Sequence, residues 1–391
     1  METDVLIVGG GLSGLSITDQ LTRAGADFLL VEAQDRLGGR ILTKEIAGGH
    51  FDMGPAWFWP GQVRVADLAK RFELSVFEQY STGDIVYQDQ NGAIQRGRGF
   101  ASMQGSLRVD GGMGSLISAL AGVVDRNRIH LGTSLRSLSL QDERIIGTLD
   151  ASGSRIDITA KQVVLAIPPR VAAARLDFHP ELGAATMEVM SAIPTWMAGH
   201  AKIMAVYDKA YWRDAGFSGD AMSQYGPMVE IHDASPIEGG PYAVFGFVGV
   251  PPDTRMARKD EVLRLALSQL TQMFGAAMAQ PLDIVIQDWV EIPEIATPND
   301  KAPLRNHPEY GLPTELRGLW NNRMFLASTE VGQAFGGYVE GALEAAEMTM
   351  QQLRPHISNS TQLLVRPVGS RRSLRPKISQ RFISEAEVEQ I

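Results

Sequence analysis

The chain of 391 residues contains no cysteine. That excludes disulfides, thiol nucleophiles and any metal held by sulfur. Positive charge is also in deficit. Its 36 lysines and arginines face 45 acidic residues, and the net charge of −9 argues against nucleic acid or an anionic membrane as the main partner. No run of about 18 uninterrupted apolar residues occurs, so no transmembrane helix is expected. The seven histidines (50, 130, 179, 200, 232, 307 and 356) form no i,i+4 pair, and no metal site is expected. No internal repeat is visible. What is present is an apolar fraction of 44%, enough for a full core and for two domains.

The richest stretch is residues 4 to 40, DVLIVGGGLSGLSITDQLTRAGADFLLVEAQDRLGGR. Asp4 to Val8 is a short apolar run suited to a buried parallel strand. Gly9, Gly11 and Gly14 follow at G-x-G-x-x-G spacing: the first permits a tight turn, the second admits backbone to a pyrophosphate, and the third lets the next helix pack on the strand. That helix is expected from Leu12 to Ala24, with Ser13 in its first turn and its amino end facing the phosphates. Gly25 ends it. A second strand, Asp27 to Val31, leads to Glu32, whose carboxylate suits ribose hydroxyls and would repel a 2′-phosphate, so NADP is disfavoured. The first strand starts at residue 4, which leaves no room for a signal peptide, and a cytoplasmic protein is expected.

The extension Asp35-Arg36-Leu37-Gly38-Gly39-Arg40 separates FAD from NAD, because a larger cofactor needs further diphosphate contacts and Arg36 and Arg40 can pair with phosphate oxygens. This stretch closely resembles the FAD-binding N-terminus of the flavin-containing amine oxidase family, which includes monoamine oxidases, polyamine oxidases and L-amino-acid oxidases. The resemblance covers roughly residues 3 to 353. It implies cofactor contacts at Gly9, Gly11, Ser13, Gly14, Glu32, Ala33, Arg36, Gly39 and Arg40. It also places Phe51 to Trp57 where the family runs a glycine-containing loop under the flavin, which brings in Gly54, Pro55, Ala56 and Trp57. Trp57, Phe58 and Trp59 read as an aromatic knot, lining a cavity or packing the core. Without cysteine the cysteinyl-flavin bond of some members is impossible, so the FAD is expected to be non-covalent. The C-terminal membrane anchor of mitochondrial monoamine oxidases has no counterpart in this sequence.

Further along, residues 63 to 74 and about 111 to 124 read as helices, and Arg128 to Leu131 and Ser134 to Leu140 as strands. In the latter, Leu135 corresponds to the family's hydrophobic residue near the adenine. Val163 to Ile167 is a buried strand stopped by Pro168 and Pro169, resembling the one that returns the chain to the FAD domain. From about Arg175 to Arg317 longer alternating strands dominate, with a helix from Asp260 to Phe274 between them. This pattern resembles the family's substrate domain, and the resemblance implies an α/β fold: a Rossmann-like FAD-binding domain with an inserted substrate domain built on a mostly antiparallel sheet. The division is 1–66, 106–175 and 318–355 for the first, and 67–105 and 176–317 for the second. Residues 356–391 form a basic tail with Arg366, Arg371, Arg372, Arg375, Lys377 and Arg381, polar enough to be disordered or to serve as a partner-binding arm.

A second block, Ala327 to Ala342, is close to the family's G-T-E followed by G-Y-x-E-G-A. Thr329, Glu330, Gly337, Tyr338, Glu340, Gly341 and Ala342 match, while Ser328 replaces the glycine, and the resemblance implies cofactor contacts at Thr329, Glu330, Gly337, Tyr338 and Val339 and at Trp289. The glycine pair Gly336-Gly337 opens a helix over 338–353, whose positive end, at Val339, would face the flavin pyrimidine. By resemblance Tyr338 is one wall of an aromatic cage that steers the amine. The second cage aromatic of the family lies about ten residues after a tryptophan that Trp289 matches; here that position is Asn299, and Phe335 or Trp57 are the available substitutes. Lys202, on a strand whose alternation puts His200, Lys202, Met204 and Val206 on one face, matches the lysine that holds a water against flavin N5. A strand-edge lysine with its head in solvent is the plain alternative.

The implied reaction is oxidation of an amine C–N bond to an imine by hydride transfer to N5, with O2 as reoxidant and hydrogen peroxide as product. Lys202 and Tyr338 are the implied catalytic residues. An L-amino-acid oxidase would instead need an arginine for the substrate carboxylate, with Arg96, Arg98, Arg108 and Arg305 available. A carbon–carbon desaturase and a non-catalytic accessory flavoprotein docking through the basic tail are further readings. The sequence is silent on the oligomeric state.

Overall fold

The computed structural model describes residues 1–302, 304 and 306–357; Arg305 and the tail from Ser358 onward lie outside them. Two sheets organise the chain. The larger has eight strands. At its centre the Glu2–Val8 strand pairs in parallel with Phe28–Val31 on one side and with Ser154–Leu165 on the other. Ile129–His130 and Met324–Leu326 add further parallel pairs. Val5 to Val8 are buried on both faces, which is why this strand reads as an unbroken apolar run rather than an alternating one. The helix Leu12–Ala24 follows at once and ends at Gly25, whose φ of 65° is the left-handed conformation that terminates helices. Its apolar side packs with the helix Val339–Leu353 and with Val65, Leu68 and Ala69 of the helix Val63–Arg71.

The second sheet has seven strands in the order Asp283–Asp288, Ala201–Tyr207, Tyr242–Val248, Met228–Asp233, Phe217–Ser223, Asp84–Gln88, Ile94–Gly97. Its pairs are antiparallel except for the parallel contact of Phe217–Ser223 with Asp84–Gln88. Alternation divides its residues cleanly. Ile203, Ala205, Val244, Val248 and Ile231 pack with Val262, Ala266, Leu270 and Met273 of the helix Lys259–Phe274. Met204, Val206, Phe245 and Phe247 turn the other way, toward Phe51, Met53 and Trp57.

Three expectations need correction. Asp177–His179, assigned from the sequence to the inserted part, is an edge strand of the larger sheet, and Met190 packs in that sheet's core. A division at residue 66 would cut the helix Val63–Arg71, which belongs wholly to the larger sheet's packing. Trp57, Phe58 and Trp59 form no knot: Phe58 is fully buried, Trp59 is partly exposed, and Trp57 packs against His232 and Phe245. In an extended segment Phe58 points away from its two neighbours, into the larger sheet's core, while Trp57 and Trp59, two residues apart, both face the cavity between the sheets. Pro169, besides ending a strand region, occupies the first turn of the helix Pro169–Arg175.

Candidate active site

A cavity of about 700 Å³ runs between the two sheets. One end is built from the first motif. Gly9, Gly11, Ser13, Glu32, Ala33, Gly39 and Arg40 all line it. The three glycines have three different reasons. Gly9 has φ 107°, where an L side chain is strained. At Gly11 an added Cβ would meet nothing nearer than Gly38 O at 3.8 Å, so backbone is left open to the cavity. At Gly14 it would lie 2.0 Å from Gly9 O, so glycine is what lets helix and turn close together, and Gly14 itself does not reach the cavity. The amino ends of the helices Leu12–Ala24 and Val339–Leu353 carry no side-chain cap. Their unpaired N–H groups are therefore free for an anion or a carbonyl.

Glu32 is buried at the end of its strand. Its Oε2 accepts the Gly10 N–H at 2.7 Å and its Oε1 accepts the Gln34 N–H at 2.8 Å. Burial raises its pKa, and the two backbone donors and Arg36 oppose that rise. Arg36 is a correction. Its guanidinium donates to the carbonyls of Leu37, Gly39 and Ile41, so it clips the loop together and does not line the cavity. Glu330 is another: it is wholly buried and holds Arg40 through both oxygens, at 2.6 and 3.1 Å, rather than touching the cavity. Thus the first and second motifs, 290 residues apart, meet in a bidentate ion pair. Thr329 donates to the Tyr338 carbonyl at 2.8 Å, and Ser13 to that of Ala327, tying the second motif further to the first.

The other end holds Gly54, Pro55, Ala56, Trp57, Trp289, Gly337, Tyr338, Val339 and Lys202, while Leu135 lines the far wall beside Glu32 and Thr133. Lys202 is 3% exposed. Its Nζ donates to Gly54 O at 2.6 Å and Asp52 O at 3.1 Å and stands 4.0 Å from the centre of the Phe245 ring. An ammonium has three donors, so one N–H is left for a group in the cavity. Cation–π contact contributes on the order of 2 kcal/mol to a desolvated cation, against several kcal/mol lost on burying it. Burial wins: the Lys202 pKa falls to about 7, although Asp52 pulls it upward.

Tyr338 is 45% exposed and stacks on His307, with centroids 4.9 Å apart and planes 10° apart; Trp196 backs His307 at 4.6 Å. One ring face is thereby braced and the other is left to the cavity. Asn299 lies apart, beside Arg170 and Asp300 around a small separate pocket. Of the two substitutes for the second aromatic, Trp57 lines the cavity and Phe335 does not. Trp196, Phe247 and Glu230 also line it and went unread in the sequence. Phe247 could have been found, two residues beyond Phe245 on the same strand face, whereas Trp196 sits in a segment with no periodicity. Of the arginines considered for a substrate carboxylate, Arg108 is spent on the carbonyls of Ala234 and Ser235 and Arg96 on those of Gln272 and Met273. Neither they nor Arg98 line the cavity.

The open backbone at Gly11, the uncapped helix ends and the buried ribose-ready carboxylate of Glu32 suit an FAD laid along this cavity, with Gly9 to Ser13, Glu32 and Arg40 at its dinucleotide end. The comparisons agree. The chain is similar to flavin-containing amine oxidase A of Equus caballus, 23% identical over 456 residues, covering 90% of this chain and 84% of that protein. It is similar to putrescine oxidase of Kocuria rosea, 21% identical over 408 residues, covering 74% and 83%. Its fold resembles that of cyclohexylamine oxidase from Brevibacterium oxydans, with a TM-score of 0.77 at 18% identity over 91% of this chain and 99% of the other. Among the described residues no helix is long and apolar enough to cross a membrane. The model of the flavin-containing amine oxidoreductases matches residues 12–99 and 93–353, and the chain belongs to that family.

Proposed function

We propose that this protein binds FAD non-covalently in the cavity between the sheets and oxidises the C–N bond of a small amine to an imine. The reading rests above all on one observation: Lys202, buried and with a donor to spare, lines the same cavity as Tyr338 and the glycine turn Gly9 to Ser13. When bound, FAD supplies the two-electron oxidant that takes hydride from the α-carbon, with O2 as the terminal acceptor and hydrogen peroxide as product. The chain's own residues do the rest. Trp57, Phe247, Trp289 and Tyr338 make an apolar wall that favours the neutral amine by desolvation, so no strong base is required. The free face of Tyr338 orients the nitrogen as it gains positive character. Lys202 holds the Asp52–Gly54 loop by its carbonyls and points its remaining N–H into the cavity, where a water can be fixed.

The fold supports a two-part division, a Rossmann-like cofactor unit built on the larger sheet and a substrate unit built on the mostly antiparallel one. The boundaries then fall outside Val63–Arg71 and beyond Asp177–His179. A peroxide assay of the holoprotein with a panel of primary amines, L-amino acids and no substrate tests the reading. Peroxide with amines alone is expected; turnover of amino acids in preference to amines would replace it with the amino-acid oxidase reading.

A further inference from the structure

On the substrate sheet, Lys202 pairs with Phe247, and Phe247 pairs with Glu230. The three stand side by side on adjacent strands, and directly opposed residues point to the same face. Strands lie about 4.8 Å apart, so the Cα of Glu230 is roughly 10 Å from that of Lys202. All three line the cavity.

Glu230 is anchored from behind. The next residue on the same face, His232, is 1% exposed and bonds Glu230 Oε1 through Nε2 at 2.8 Å and Asp220 Oδ1 through Nδ1 at 2.7 Å. A histidine between two carboxylates donates from both nitrogens and is an imidazolium. Burial opposes that charge, but the two carboxylates outweigh it and raise the pKa of His232. The hydrogen bond from His232 in turn holds Glu230 below the usual carboxylate range. Two carboxylates and one imidazolium leave one net negative charge. Ser102 also donates to Oε1 (3.3 Å), while Oε2 has no hydrogen-bond partner among the described residues. A buttressed carboxylate with a free oxygen stands on the cavity wall next to Phe247, one strand further from Lys202.

We propose that Glu230 determines specificity by receiving the distal ammonium of a substrate with two cationic groups, a linear α,ω-diamine, while the other amine is oxidised beside Lys202. The inference rests on the amine-oxidising reading of the same cavity. The span between the two side chains sets the preferred chain length, and monoamines of that length forgo the ion pair.

The test uses the holoenzyme with linear diamines from diaminobutane to diaminooctane, each set against the n-alkylamine of equal length. The wild type is expected to favour the diamine in kcat/KM at one length. Glu230→Gln, which keeps shape and can still bond His232, is expected to lower that diamine-to-monoamine ratio by about ten- to hundredfold. A purely structural role would change both substrates together and leave the ratio fixed, and a fixed ratio overturns the proposal. Anaerobic calorimetry with diaminohexane and n-hexylamine separates this from the reaction itself. If no amine is turned over, the oxidase reading falls, yet diamine binding weakened by the substitution still supports the carboxylate, and equal binding in both proteins overturns it.

Discussion

At Lys202 an ammonium sits in a cavity wall with two carbonyls and an aromatic ring for company, and its proton is held only weakly. Its folded pKa of about 7 lies below the ordinary 10.5. Between those values the unfolded chain carries a proton that the folded chain has shed, so stability rises with pH across that window. Below about pH 7 both states are charged and the burial cost is fully felt; above about 10.5 both are neutral and it vanishes. Urea unfolding of wild type and Lys202→Met should therefore show the wild type gaining on the variant as pH rises from 7 toward 10.5. A difference independent of pH would mean that the lysine keeps its proton. Glu32 offers a second test. Its carboxylate already holds Gly10 and Gln34, and its cavity side is free for ribose hydroxyls. Charge-assisted hydrogen bonds are worth roughly 1.5 to 3 kcal/mol, so Glu32→Ala should weaken FAD binding about ten- to hundredfold in a flavin-fluorescence titration of the apoprotein. Unchanged affinity would remove Glu32 from the cofactor site.

Among the elements, the turn between Glu2–Val8 and Leu12–Ala24 leaves no room for a side chain at Gly14. A Cβ at Gly14 would sit 2.0 Å from a backbone oxygen, which no side-chain rotation relieves. Gly14→Ala should push the helix off the turn, costing on the order of 1 to 3 kcal/mol in denaturant unfolding and reducing flavin content on purification. Gly25→Ala, at a left-handed helix end with nothing within 4 Å, should cost about 1 to 2 kcal/mol from backbone strain alone and leave flavin content unchanged. Equal flavin loss in both would show that helix stability, not the close approach, governs the cradle. These elements were readable because their signals are local. The apolar run, the glycine spacing and the Gly25 stop lie within one strand–turn–helix unit, and the expected helix Leu12 to Ala24 coincides with the observed one. Arg36 was misread for the complementary reason. Whether a guanidinium faces outward or turns back onto Leu37, Gly39 and Ile41 depends on the path of the loop, which residue type does not reveal.

Over the whole molecule, the Arg40–Glu330 pair joins the two motifs. Glu330 is fully buried, so removing its partner leaves a charge unpaired in the interior, which typically costs 3 to 5 kcal/mol. Arg40→Met should lower both the Tm of the apoprotein and its affinity for FAD, whereas a surface arginine such as Arg258 replaced in the same way should alter neither. Loss of FAD binding with an unchanged apoprotein Tm would make Arg40 a phosphate ligand with no structural part. The amino-acid sequence by itself determined the cofactor turn, the strand and helix periods and the sheet-facing alternation of Lys202, because each depends on neighbours a few residues away. It could not place Arg40 on Glu330, brace Tyr338 with His307, or set Glu230 two strands from Lys202. The strand order of the second sheet departs from chain order, and which edges meet is decided only when both sheets bury their apolar faces together.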